Sequence, residues 1–135
     1  MKIIKNRTQI KKKFINKLEK FVQQNFPDIY RNIEVVFVSD GTMRKYNKDF
    51  AGKNGTTDVL SFDLDDTFVV IVSVDTAKRN AIFYGERFYD ELARYVIHGI
   101  LHLVGYDHKI TSNTGKTMKD KEEELLKVWK TYYFS

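Results

Sequence analysis

The chain has 135 residues, 42% of them apolar, and its 23 basic and 18 acidic side chains leave a net charge of +5. That length suits one domain with a core of its own, and no apolar run is long enough to span a bilayer. Cysteine is absent, which excludes disulfides and thiolate ligands, suits a reducing cytoplasm, and leaves any metal to nitrogen and oxygen donors.

Met1 to Arg7 carry no apolar signal core and no cleavage site, so no secretory signal is expected. Lys2, Lys5, Arg7, Lys11, Lys12, Lys13, Lys17 and Lys20 crowd the N-terminal part of the chain. They read either as a solvated helix face or as phosphate contacts. From Thr8 to about Asn25, Ile10, Phe14, Leu18, Phe21 and Val22 recur at three- and four-residue steps, predicting an amphipathic helix that Pro27 closes. The β-branched run Glu34–Ser39 predicts a strand. A short helix to about Phe50 follows, with Asp40 or Thr42 as its cap, and then a loop rich in turn formers, 51–57. Asp58–Leu64 predicts a second strand, Asp65 to Thr67 a turn, and the apolar run Phe68–Val74 a third, central strand. Asp75 or Thr76 caps a helix to about Tyr84, which Gly85 breaks. The most apolar helix is expected from about Arg87 to Val104, buried at the domain centre. A polar loop, 111–115, and a charged amphipathic helix through Leu125, Val128 and Trp129 complete the chain. No repeat or linker interrupts it, so one α+β domain over residues 1–135 is expected, with helices packed on a small sheet.

All three histidines fall within residues 98–108. In a helix, His98 and His102 lie on one face, one turn apart, where both can point at one ion. Gly105 lets the chain leave the helix and turn back, bringing His108 as a third nitrogen. Three protein ligands with a fourth position left to water make a catalytic zinc site. Such an ion can lower the pKa of its water to about 7 and polarise a phosphoryl oxygen. The spacing matches that of the metzincin proteases, but their glutamate general base is replaced by Gly99, which argues against proteolysis. Imidazole also suits nickel, copper and iron.

The segment from His98 to His108 resembles the hallmark motif of the YbeY family of bacterial endoribonucleases. Thr57-Asp58-Val59-Leu60-Ser61-Phe62 resembles that family's upstream signature, and the order of elements agrees over the whole chain. The resemblance implies a mixed sheet and one zinc ion per chain held by His98, His102 and His108 at the end of the buried central helix. It also implies cleavage of single-stranded RNA, maturation of the 3′ end of 16S ribosomal RNA, and ribosome quality control. The partners implied are the small ribosomal subunit and its proteins, in the bacterial cytoplasm, without a membrane. Asp107 would neighbour the last ligand, either orienting a ring or accepting a proton; Glu91 and Asp90 are the other candidate acceptors. Tyr106 would line the same wall, and among many aromatics it is the one marked for RNA stacking.

Four residues depart from the family pattern. Ala51 stands between Phe50 and Gly52 where an arginine is common, Phe68-Val69 replaces Gly-Asp, and Asp63 replaces proline. Lys53 can supply part of the missing arginine's charge, though as a point charge rather than a bidentate fork. Asp58 is expected to anchor the start of its strand, and Ser61, with no histidine to spare, is not expected to act as a nucleophile. A ribosome assembly factor with a structural metal, or a metallohydrolase of another substrate, are the competing functions.

Overall fold

A computed structural model describes residues 1–52, 55, 57–105 and 117–134. Along the chain run β1 (Lys2–Lys5), α1 (Lys12–Asn25), β2 (Ile33–Val38), α2 (Asp40–Ala51), β3 (Val59–Asp63), β4 (Phe68–Ser73), α3 (Val74–Tyr84), α4 (Phe88–Leu103) and α5 (Met118–Tyr133). The strands form a four-stranded sheet in the order β1-β2-β4-β3. β1, β2 and β4 are parallel and β3 is antiparallel to β4, so this is a single-domain α+β fold with a mixed sheet. β4 lies inside the sheet, as its unbroken apolar run predicts.

Alternation along the strands sorts the side chains between two layers. Val35, Phe37, Val70 and Val72 face the larger core, which α1, α4 and α5 supply with Phe14, Leu18, Ile97, Ile100, Leu126 and Trp129. Val36, Val38 and Ile71 face the opposite side, where Met43 of α2 packs. The fully buried Trp129 ring lies 5.5 Å from both Phe14 and Phe21 and stacks on Tyr133 at 4.9 Å. Tyr133 is thus part of the core at the end of the last helix.

Two strands pass straight into helices, and in each case a serine at the strand's end supplies the cap, ahead of the acidic and threonine candidates. Ser39 caps α2 by accepting from the Thr42 amide, and Ser73 caps α3 by accepting from the Thr76 amide, both at 3.3 Å. Asp40 links the two helix starts: its carboxylate accepts from Ser73 Oγ at 2.7 Å and Thr76 Oγ1 at 2.9 Å and pairs with Arg79. Asp75 returns the link by accepting from the Asp40 amide at 2.8 Å. Burial raises the Asp40 carboxyl, but the hydrogen bonds from Arg79, Ser73 and Thr76 and the Arg79 charge outweigh it and hold it well below the usual carboxylate range.

β1 was not expected from sequence. It is only four residues with lysines at both ends, and its partner β2 begins at Ile33, so nothing local marks it. The first helix also starts later than Thr8: Lys11 is its N-cap and no side chain caps it. Lys17 is not a purely solvated residue, since its ammonium donates to the carbonyls of Tyr132 and Tyr133 at 3.1 Å each. Among the described residues no helix is long and apolar enough to cross a membrane.

Candidate functional site

Helix α4 carries the first two histidines and sets their surroundings. Leu92, Ala93, Val96, Ile97, Ile100 and Leu101 are buried, which locks the helix against the sheet on one side and α5 on the other. The helix then emerges: His98 is a third exposed, His102 is exposed, and Gly105 follows with φ of 97°. That left-handed backbone is the sharp exit expected of a glycine at this point.

Gly99 explains why the helix can lie so close. A Cβ there would stand 2.6 Å from Val70 Cγ1 and 2.9 Å from Ser61 Oγ, and Ser61 and Val70 are cross-strand neighbours in the β3–β4 ladder. Ser61 Oγ donates to the Gly99 carbonyl at 3.2 Å. Ser61 therefore ties strand to helix and is not poised as a nucleophile. A glutamate at position 99 has no room, so the protease-type base is excluded by packing as well as by identity. The two sequence segments singled out separately, one around Ser61 and one around Gly99, are in direct contact.

His98 is the more constrained of the two described histidines. Its Nδ1 lies 2.7 Å from Glu122 Oε1 of α5. The hydrogen bond to Glu122 raises the His98 imidazole pKa, burial opposes it, and the Glu122 and Asp58 charges add to the rise. Arg94, one turn earlier on α4, binds Glu91 at 3.1 Å, Glu123 at 2.7 Å and Glu122 at 3.5 Å. Open depressions flank Arg94, one of about 230 Å³ shared with His98 and Glu122, the other of about 480 Å³ shared with Asp58, Tyr84 and Tyr95. Asp58 anchors the start of β3: its Oδ1 accepts from the Val59 amide at 2.8 Å and the Thr57 hydroxyl at 3.4 Å.

The remaining predicted residues divide clearly. Asp90 and Glu91 sit in the first turn of α4, away from the histidine end. Asp90 accepts from Trp129 Nε1 at 3.1 Å in the core, which removes it from the candidate proton acceptors, and Glu91 is committed to Arg94. Ala51 is the exposed last residue of α2. Lys53, Tyr106, Asp107 and His108 lie outside the described residues. Among the described residues, no three His, Cys, Asp or Glu side chains form a group able to hold a metal. Glu122, Arg94 and Asn47 were missed from sequence. Glu122 stands in a run of three glutamates on a charged helix, and nothing in that run distinguishes the one that meets His98. Buried Asn47 holds the loop before Thr57 by donating to the Gly55 carbonyl at 3.1 Å.

The donor chemistry fits a divalent metal. A carboxylate beside Nδ1 is the arrangement found around metal-ligating histidines, which then offer Nε2. One turn on, His102 is a second imidazole on the same helical face.

An α+β protein with two imidazoles at the emerging end of a buried helix, one of them facing a carboxylate, offers donors of the kind a metallohydrolase uses. Comparison with known proteins narrows the class. The family model "Endoribonuclease YbeY" matches residues 2–130. An endoribonuclease YbeY of Helicobacter pylori strain Shi470 is 39% identical over 131 residues, covering 93% of this chain and 89% of its own. One from Thermotoga neapolitana is 33% identical over 129 residues, covering 91% of this chain and 85% of its own. The solution structure of TM1509 from Thermotoga maritima superposes with a TM-score of 0.69 at 31% identity, over 98% of this chain and 91% of that one. The chain belongs to the YbeY family of endoribonucleases, with a nuclease role in ribosomal-RNA processing.

Proposed function

We propose that residues 1–135 form one catalytic domain that cuts single-stranded RNA with the help of one zinc ion, in late maturation of the 3′ end of 16S ribosomal RNA and in ribosome quality control. The observation that carries this reading is the His98–His102 pair at the emerging end of α4, with His98 Nδ1 turned into Glu122, in a chain of this family. His98, His102 and His108 are the residues that would hold the ion. Bound there, zinc supplies Lewis-acid chemistry and a more acidic water for phosphodiester hydrolysis. The chain's own part is positional: Glu122 orients His98, the Ser61–Gly99 contact sets the height of α4 above the sheet, and Asp107 orients a ligand ring or accepts a proton. Lys53 and Tyr106 are assigned to the substrate, one for phosphate charge and one for stacking. The partners are the small ribosomal subunit and its proteins, in the bacterial cytoplasm.

A second reading is supported by Ala51. Its methyl group offers no bidentate grip on phosphate at a position where arginine is common in the family, which favours a weakly catalytic assembly factor with a structural metal. A single experiment separates the two: single-stranded RNA cleavage with defined zinc by the wild type, His102→Ala and Ala51→Arg. Cleavage by the wild type that His102→Ala abolishes supports the nuclease. Cleavage by Ala51→Arg alone supports the assembly factor. Full zinc retention by His98→Ala, His102→Ala and His108→Ala would refute the ligand assignment.

A further inference from the structure

We infer that Glu122 is the positioning residue of the metal centre: it selects which nitrogen His98 offers, and Arg94 holds it in place to do so. The inference rests on the reading of His98 as a metal ligand, and it adds a function for α5, a helix that neither sequence motif reaches. Glu122 Oε1 lies 2.7 Å from His98 Nδ1, while its other oxygen, Oε2, lies 3.5 Å from Arg94 Nη1. The Glu122 side chain is only 12% exposed, so water competes little for either contact. Arg94 is itself restrained, by Glu91 at Nε and by Glu123 at Nη1. The histidine thus stands at the end of a chain of charged contacts that begins on its own helix, crosses to α5 and returns. A carboxylate that accepts from Nδ1 fixes both the tautomer and the ring rotation, leaving Nε2 as the donor atom. Glu123 makes the control. It sits next to Glu122 and binds Arg94 more closely, at 2.7 Å, yet is 47% exposed, whereas the imidazole meets Glu122.

The test uses the full chain as wild type, Glu122→Gln, Glu122→Ala and Glu123→Ala. Long-range proton–nitrogen NMR spectra of the metal-free proteins read the His98 tautomer, and competition with a chromogenic chelator reads zinc affinity. We expect the wild-type ring to carry its proton on Nδ1 and Glu122→Ala to lose that preference. Zinc affinity should fall roughly 10- to 100-fold in Glu122→Ala, the range for loss of a ligand's orienting partner, and by less than about tenfold in Glu122→Gln, whose amide oxygen still accepts; Glu123→Ala should stay within about twofold of wild type. A wild-type ring protonated on Nε2 overturns the inference, as does a Glu122→Ala protein that binds zinc normally. Equal losses in Glu122→Ala and Glu123→Ala also overturn it, because they would trace to the Arg94 contacts that both glutamates share. Absence of zinc uptake by the wild type would instead sink the metal reading, independently of the tautomer seen without metal.

Discussion

Alanine at position 99 should loosen the contact between α4 and the sheet. Its Cβ would stand 2.6 Å from Val70 Cγ1, 2.9 Å from Ser61 Oγ and 3.2 Å from Val70 Cγ2. Val70 is fully buried, and a β-branched side chain has little freedom about χ1, so the helix must shift rather than the valine rotate. Overpacking of this kind costs about 3 kcal/mol at the upper end of its usual range, and the better helix propensity of alanine offsets about 1 kcal/mol. The net loss, about 2 kcal/mol, lowers Tm by roughly 6–10 °C in a domain of this size. Val70→Ala alone removes buried methyl groups at a cost of about 2 kcal/mol. In the double mutant the same truncation makes room for the new methyl. Its total loss should therefore be about 2 rather than about 4 kcal/mol, a coupling of about 2 kcal/mol. Urea denaturation of the four proteins, followed by circular dichroism, measures all three terms. An additive double mutant, or a Gly99→Ala protein as stable as wild type, would refute the steric reasoning.

Other outcomes follow from the same contacts. Asp40 has a depressed folded pKa, so its contribution to stability is present above the unfolded value of about 3.9 and is lost as pH falls below it. Asp40→Asn should destabilise the protein near neutrality and flatten the acid limb of its stability curve; an unchanged acid limb would contradict this. Burial, with the Glu91 and Asp58 charges, pushes the Tyr95 phenol up to about 12 despite its hydrogen bond with Asn80. Because that folded pKa is raised, the stabilisation is present below the unfolded value of about 10 and is lost as pH rises through the folded value. Tyrosinate absorbance should therefore show a late step that Tyr95→Phe removes. Lys17→Met keeps the apolar stem but removes the two bonds to the end of α5, and a loss of about 1 kcal/mol is expected in chemical denaturation. No change would mean that water replaces the ammonium without cost.

Much of the fold was legible because the local signals were strong. Strands β2, β3 and β4, the long apolar helix and its glycine exit all announce themselves through periodicity and turn chemistry. The elements that were missed depend on distant partners. β1 exists because Ile3 and Ile4 pair with Val35 and Val36 across the sheet, and the Ser39 and Ser73 caps win over their neighbours because the strands end there. The site shows the same division. His98 and His102 stand out from sequence because four-residue spacing places them on one helical face, whereas Glu122 and Arg94 acquire their roles only when α5 packs on α4.

The sequence by itself determined the family, the histidine pair and the absence of a protease base, since each is written in residue identity and short-range spacing. The tertiary structure decided that Gly99 is a packing requirement, that Asp90 serves the core rather than the site, and that a glutamate twenty-four positions away orients His98. Those roles depend on distances between segments far apart in the chain. Spacing along one helix cannot specify such distances, and the packing of helix against sheet and helix against helix can.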